Sequence, residues 1–99
     1  MITQSDILYY LQINRELFRT KYDVEKIGIF GSYARNEQTE NSDIDIIIDM
    51  PVGTENIFEK RLLLKDMISN FFSKPVDVCH QRAIKPIFKE MILKDAIYV

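Results

Sequence analysis

Two segments decide the fold of this chain: Gly31-Ser32-Tyr33-Ala34-Arg35 and, after a short polar gap, Ser42-Asp43-Ile44-Asp45-Ile46-Ile47-Ile48. The β-branched isoleucines of the second segment favour a buried strand. Because side chains alternate along a strand, Asp43 and Asp45 fall on one face, with their backbones roughly 6.5–7 Å apart. Two carboxylates this close resist joint ionisation unless a cation lies between them. Oxygen ligands that also meet substrate phosphates favour Mg²⁺.

The first segment has the pattern of a strand that ends at a phosphate-binding turn. We expect Val24–Phe30 to be the strand, Gly31 to end it, and Ser32 to cap a short helix through Arg35. Such a turn leaves backbone N–H groups unpaired, and Gly31 lets an anion approach the main chain. The Ser32 hydroxyl adds a donor. Arg35 either neutralises phosphate or forms an ion pair with the acidic strand. An ordinary strand-to-helix turn without a ligand is the alternative.

The two segments together resemble the DNA polymerase β-type nucleotidyltransferases, and in particular their smallest branch, the minimal nucleotidyltransferase (MNT) family. The match over Ile27 to Ile48 consists of Gly-Ser-x-Ala-Arg, a hydrophilic gap, and Ser-Asp-x-Asp followed by aliphatic residues. Asn36 stands where the family often has glycine after the arginine. Because Asn tolerates the left-handed conformation, we expect the turn to survive.

The resemblance also implies a third carboxylate on a later strand beside the first pair. Lys74-Pro75-Val76-Asp77-Val78-Cys79 offers one candidate, because Asp77 points away from the face of its two valine neighbours. An aspartate that keeps an edge strand soluble is the alternative reading of Asp77.

The family pattern implies the roles of these residues and the cofactors they need. ATP is the expected nucleotide donor, and two Mg²⁺ ions are expected to assist the transfer. Asp43, Asp45 and Asp77 are the predicted catalytic residues and metal ligands, with Asp77 on the acceptor side. The predicted nucleotide-binding residues are Gly31 and Ser32, on the β- and γ-phosphates, and Arg35.

Another polypeptide or a second copy of this chain is the expected source of the acceptor site, because the acceptor-binding domain of larger relatives has no counterpart here. Minimal nucleotidyltransferases are typically paired with a HEPN-domain toxin and transfer AMP to one of its tyrosines, which implies an antitoxin role. Two alternatives stay open: an antitoxin that acts by binding alone, and an adenylyltransferase that modifies a small molecule. Residues Glu37 to Asp49 contain five acids and no base, which argues against tracking of long nucleic acids.

The apolar spacing predicts one α/β (α+β) domain over residues 1–99, with a small mixed β-sheet flanked by helices in the order αβ(α)βαβα. The first helix should begin after Ser5 or Asp6 and run to about Lys21 as one element. Further predicted elements are a helix from Thr54 or Asn56 to roughly Phe72 that covers the sheet, a strand at 76–79, and a last helix that begins near Pro86 and includes Ala96 and Ile97. In the first helix, Tyr9, Tyr10 and Ile13 broaden the apolar face toward a partner.

The composition excludes several other classes. No apolar run is long enough for a membrane span, and Met1–Asp6 lacks the basic start of a signal peptide, so we expect a cytoplasmic protein. Cys79 is the only cysteine, and we expect it to pack as a small apolar residue. His80 is expected to be a solvated residue at a strand end, and Asp49 is expected to be solvated or ion-paired rather than a metal ligand.

Overall fold

A computed structural model describes all 99 residues of the chain. Five α-helices and four strands alternate, with one short 3₁₀ helix at Gln81–Ala83. The helices are α1 (Gln4–Ile13), α2 (Arg15–Tyr22), α3 (Gly31–Ala34), α4 (Ile57–Phe72) and α5 (Pro86–Asp95), and the strands are β1 (Lys26–Phe30), β2 (Ile44–Asp49), β3 (Val76–His80) and β4 (Ile97–Tyr98).

The strands form one mixed sheet in the order β3-β2-β1-β4. Strand β2 pairs parallel with β3 and antiparallel with β1, and β4 pairs antiparallel with β1 on the other edge. Helix α4 makes the crossover that the parallel β2–β3 pair requires. The predicted mixed sheet with flanking helices is therefore confirmed.

One face of the sheet carries the hydrophobic core. The alternate residues Ile44, Ile46 and Ile48 of β2 are fully buried on this face, together with side chains from α1, α2 and α4. Ile47 is also fully buried but lies outside this core cluster, as the alternation of a strand requires. Asp45 and Asp49 share the face of Ile47, so the acidic side chains of β2 lie opposite the core.

The predicted single first helix is wrong, because the chain breaks at Asn14 into α1 and α2. The break is stabilised by the Asn14 side-chain amide, which donates to the Tyr10 carbonyl at 2.9 Å and so competes with the helical hydrogen bonds. Thr3, rather than Ser5 or Asp6, caps α1, in a reciprocal pair of hydrogen bonds with Asp6.

The predicted last helix is too long at its carboxyl end. Helix α5 begins with Pro86 at its first turn, as expected, but it ends at Asp95. Ile97 and Tyr98 form β4 beside β1, and this close pairing depends on Gly28, because a Cβ at that position would lie 2.3 Å from the Ile97 carbonyl oxygen.

The apolar stripe of α4 is only partly covered. Leu64 and Ile68 are buried against the sheet, whereas several larger side chains at both ends of the helix stay exposed. The exposed set comprises Ile57, Phe58, Leu62, Leu63 and Phe71. None of the helices is both long and apolar enough to span a bilayer.

Candidate active site

Two predicted site carboxylates are direct neighbours in the sheet. Asp45 on β2 lies in register with Asp77 on β3, and residues in register on parallel strands project from the same face about 4.8 Å apart. Asp43 precedes β2 by one residue and is two positions from Asp45, so the alternation brings it to the same side. Asp43 and Asp77 are exposed, whereas Asp45 is half-buried between them.

The electrostatics of Asp45 reflect this crowding. Burial, followed by the negative charges of Asp77 and Asp43, raises the pKa of Asp45 from 3.8 to about 6, and the positive charge of Arg35 opposes the shift. Burial and neighbouring negative charges both destabilise the Asp45 anion, so a nearby cation or a bound proton stabilises this carboxyl group. The arrangement is therefore built to attract positive charge to the face opposite the core.

Gly31 brings the predicted phosphate turn into direct contact with this carboxylate. Its backbone has a φ of +72°, and a Cβ placed there would lie 2.2 Å from Oδ2 of Asp45. The preceding residue, Phe30, is in register with Asp45 across β1 and β2. Glycine is thus required at position 31 by both backbone conformation and space. The sequence suggested only the approach of a ligand and did not indicate the contact with Asp45.

Helix α3 begins at Gly31, one residue before the predicted cap, and it is tied to α1. The amide Nε2 of Gln4 donates to the carbonyl oxygens of Tyr33 at 3.1 Å and Ala34 at 2.9 Å. The turn after α3 uses Asn36 in the left-handed conformation, with a φ of +58°, as expected for Asn in place of glycine. Sequence reasoning missed Gln4, because nothing in the local pattern of α1 links it to residues 30 positions away.

Arg35 does not pair with the acidic strand. Its Nε donates to Oε1 of Glu37 at 2.8 Å, and its NH1 group lies 3.5 Å from Oδ2 of Asp95 at the end of α5. Ion pairing with Asp43 or Asp45, one of the two expected roles, is thus absent. The guanidinium instead connects the end of α3 to α5 while still lowering the pKa of Asp45 through space.

The expectation of a solvated His80 is wrong, because the ring is buried. Its Nε2 and Nδ1 atoms each lie 3.2 Å from a backbone N–H group, those of Met50 and Arg82. Burial, and next the positive charge of Arg82, lower the pKa of His80 below 6.5. The Arg82 side chain donates to the Met50 carbonyl and lies 3.7 Å from Asp49, so Asp49 is ion-paired as predicted. Cys79 is half-buried and free.

Comparison with known proteins identifies the family. The model of the nucleotidyltransferase domain matches residues 11–99, nearly the whole chain. The chain belongs to this family. It is a nucleotidyltransferase, in agreement with the resemblance of its two motifs.

The curated relatives are named as protein adenylyltransferases. One from Methanocaldococcus jannaschii, named as a candidate protein adenylyltransferase, is 42% identical over the full length of both chains. The protein adenylyltransferase MntA of Thermococcus cleftensis is 28% identical over 100% of this chain and 98% of the relative.

Solved structures share the fold. One described as a minimal nucleotidyltransferase superposes with a TM-score of 0.79 at 23% identity and covers 97% of this chain and 95% of that one. A toxin–antitoxin structure with AMP-PNP gives a TM-score of 0.68 at 23% identity, covering 98% and 72% of the two chains. An MNT antitoxin in complex with a tri-AMPylated HEPN toxin of Shewanella oneidensis gives 0.58 at 20% identity, covering 96% and 66%.

The donor set of this nucleotidyltransferase fits a hard divalent cation. Asp43, Asp45 and Asp77 supply only carboxylate oxygens, and burial together with the other two negative charges raises the pKa of Asp45. No three His, Cys, Asp or Glu side chains lie close enough together to form a complete metal cage. Mg²⁺ commonly binds through one or two carboxylates, with water and substrate phosphates as its other ligands.

Proposed function

We propose that this nucleotidyltransferase transfers AMP from ATP to a hydroxyl, that of a tyrosine, on a partner HEPN-domain protein, and that it acts in this way as an antitoxin. The contact of Gly31 with Asp45, which is itself in register with Asp77, carries the proposal. It joins a glycine turn suited to phosphate with a carboxylate pair suited to a cation. A nucleoside triphosphate complexed with Mg²⁺ matches both halves of the site.

Each residue has a proposed role. Asp43 and Asp45 hold Mg²⁺, Asp77 holds it on the acceptor side, and the turn at Gly31 and Ser32 donates backbone N–H groups to the β- and γ-phosphates. Mg²⁺ held by these carboxylates would lower the pKa of the acceptor hydroxyl and neutralise charge on the leaving pyrophosphate.

AMP transfer forms one bond to phosphorus and breaks another. The acceptor oxygen forms a bond to the α-phosphorus, the bond from that phosphorus to the bridging oxygen breaks, and pyrophosphate leaves with the electron pair. Asp77 takes the hydroxyl proton, since it is exposed and lies on the proposed acceptor side of the site.

The names of the relatives support the adenylyl donor and the protein acceptor. Relatives that match this chain over its whole length are named protein adenylyltransferases. The structures that share its fold include a toxin–antitoxin complex with AMP-PNP and an MNT antitoxin bound to an AMPylated HEPN toxin. We extend that assembly to this chain.

Co-expression with the product of the adjacent gene, followed by intact-mass spectrometry, tests the proposal. We expect the adjacent product to be a HEPN-domain protein and its mass to rise by one or more AMP units. Asp43→Asn and Asp77→Asn should each abolish the mass increase, because each removes a ligand for the cation that the reaction needs. Asp66→Asn, an exposed carboxylate on α4 without an ion pair, is the matched control and should retain it.

The other outcomes separate the alternatives. A partner that is inhibited equally by wild type and Asp43→Asn, with no change in mass, would show an antitoxin that acts by binding alone. AMP transfer to a small molecule by the chain without any partner would show the third function. Full transfer by Asp77→Asn would show that the third carboxylate was chosen wrongly.

A further inference from the structure

A groove runs along the free edge of β3 and ends at the carboxylate site. Strand β3 is the outer strand of the sheet, and α4 lies beside it. The groove between them encloses about 200 Å³ and is lined by Phe58, Arg61, Leu62 and Lys65 of α4 and by Asp77 and Val78 of β3. We call it the β3-edge groove. Because Asp77 forms part of its wall, any segment that occupies it comes within reach of the proposed acceptor-side carboxylate.

The groove continues past α4 into a second depression of about 410 Å³. Phe58 and Arg61 line both, and the second adds Ile57, His80 and Arg82. The two depressions therefore adjoin each other at Phe58 and Arg61.

The charges that line this surface are unbalanced. Arg61, Lys65 and Arg82 are positive, and the proposed catalytic Asp77 is the only carboxylate among the lining residues. The whole chain has a net charge of −2, so the charge of this basic strip is opposite in sign to the net charge of the chain. Lys65 forms no ion pair within the chain. Its positive charge is therefore free to meet an acidic partner.

The same surface exposes apolar side chains without an internal role. The Phe58 ring is 67% exposed, and Leu62 beside it is 46% exposed. The Arg61 guanidinium lies 5.5 Å from the centre of the Phe58 ring, and its NH1 group is 3.4 Å from the Val78 carbonyl oxygen. These contacts fix the cation beside an aromatic surface on which a second aromatic ring can pack.

We propose that the β3-edge groove binds the acceptor-bearing segment of the partner, and that this segment is acidic around its acceptor tyrosine. The inference rests on the proposed function and adds to it the docking surface and the charge of the acceptor. Acidic side chains of the segment meet Arg61 and Lys65, since Arg82 already pairs with Asp49, and its apolar side chains pack on Phe58 and Leu62. The tyrosine hydroxyl then reaches Asp77 from the edge of the sheet.

An apolar groove between α1 and the end of α4 is the alternative docking surface for the acceptor-bearing segment. It is lined by Tyr9, Ile13 and Phe71 among others, and its only charged residue is Asp6. No residue of the carboxylate site contributes to it. A segment bound there would not be directed to Asp77, so we assign the acceptor to the β3-edge groove.

Two synthetic tyrosine peptides of equal length test the inference, one with glutamates and one with lysines around the tyrosine. Binding to the full chain is followed by fluorescence anisotropy with Mg²⁺ and α,β-methylene-ATP, in which the bond to the α-phosphate cannot break. Steady-state transfer with ATP is measured in parallel. We expect the acidic peptide to bind more tightly and to have the lower KM.

Phe58→Ala and Lys65→Glu should each weaken binding of the acidic peptide roughly fivefold, the effect of losing one exposed contact or charge pair. The affinity for Mg-ATP should not change. Tyr9→Ala is the matched control, because Tyr9 is also 67% exposed but lies in the alternative groove. It should leave peptide binding unchanged.

Three results would overturn the inference: equal binding of the two peptides, no binding of either while Mg-ATP still binds, or a loss caused by Tyr9→Ala and not by Phe58→Ala. Failure of the wild-type chain to bind Mg-ATP would instead overturn the proposed function. The two failures are therefore distinguishable.

Discussion

At the scale of single residues, Gly31 and Asp45 behave as one unit. The Asp45 carboxylate occupies the space that a side chain at Gly31 would fill, so the proposed phosphate turn and the proposed metal-binding face are in direct contact. Gly31 therefore contributes to the partial burial of Asp45, and this burial raises the pKa of the carboxyl group. A change at either residue should affect both functions of the site.

Gly31→Ala should abolish AMP transfer and weaken Mg-ATP binding while the chain still folds. The new Cβ would collide with Oδ2 of Asp45, and a positive φ costs alanine about 1–2 kcal/mol. Isothermal titration calorimetry with Mg-ATP measures the effect. Gly53→Ala is the control, since Gly53 also has a positive φ, +88°, but has no atom within 4 Å of the new Cβ. Equal ATP affinity in the two variants would contradict this account.

Asp45 should make the metal-free protein less stable as the pH rises. Its folded-state pKa of about 6 exceeds the ordinary value of 3.8, so the folded state holds a proton that the unfolded chain has already lost. The free energy of unfolding therefore falls as the pH rises between these two values. Asp45→Asn removes this effect, which we put at about 1 kcal/mol after allowing for solvent screening.

Thermal unfolding in the presence of a chelator measures the difference. The Tm of Asp45→Asn should exceed that of the wild type at about pH 8 and equal it at about pH 3, where both side chains are neutral. A lower Tm for Asp45→Asn at neutral pH would show instead that the carboxylate stabilises the fold.

At the scale of elements, α3 is too short to hold its own position. It spans four residues, and its carboxyl end is fixed by the Gln4 amide of α1 and by the ion pairs of Arg35. Gln4 belongs to α1 and Asp95 to α5, so the position of this turn depends on how these helices pack around it. Positioning of the turn is thus a property of tertiary structure.

Gln4→Met should raise the KM for ATP more than it lowers kcat. Methionine has a similar length but cannot donate to the Tyr33 and Ala34 carbonyls, so α3 loses its link to α1. Steady-state kinetics with varied ATP measure the split. Gln12→Met, at an exposed position of the same helix, should match the wild type. A drop in kcat alone would place Gln4 in the chemistry rather than in positioning.

The elements that the sequence predicted correctly are those with strong local signals. The isoleucine run of β2, the proline that starts α5 and Asn56 at the start of α4 each indicated an element that the structure contains. The break at Asn14 was missed because one side-chain hydrogen bond decides it. Strand β4 was missed because Ile97 also fits a helical period, and its pairing with β1 depends on the distant Gly28.

The sequence likewise predicted some features of the candidate site and missed others. The face shared by Asp43 and Asp45 follows from strand alternation, and their proximity to Asp77 followed from the family resemblance. The buried state of His80 was not predictable, since its donors come from Met50 and Arg82, and only the packed structure brings them to the ring. The roles assigned to the carboxylates stay predictions until the variants are measured.

At the scale of the whole molecule, the chain is a thin slab with uncovered apolar surface. It measures 36 × 31 × 19 Å, and only 21 of its 99 residues are buried. Helix α5 has no buried residue, and its Ile87, Phe88 and Met91 side chains are all exposed. Large exposed apolar areas are typical of surfaces that bind another protein.

Addition of the proposed HEPN-domain partner should therefore raise the Tm of the chain, and the shift should grow with partner concentration, because binding stabilises the folded state alone. Differential scanning fluorimetry at several partner concentrations measures the shift. Asp43→Asn should show the same shift as the wild type, since docking does not require transfer. A shift that requires Asp43 would mean that AMP transfer, rather than docking, stabilises the assembly.

The close approach of Gly31 and Asp45 also has an evolutionary consequence. Every glycine codon becomes an alanine codon by a single base change, and at position 31 that change adds a methyl group where the carboxylate oxygen lies. If Gly31→Ala abolishes transfer as we expect, one mutation removes the activity and leaves the residues of the outer surfaces unchanged. After such a mutation, a duplicated copy of the gene would encode an inactive protein that still binds the proposed partner.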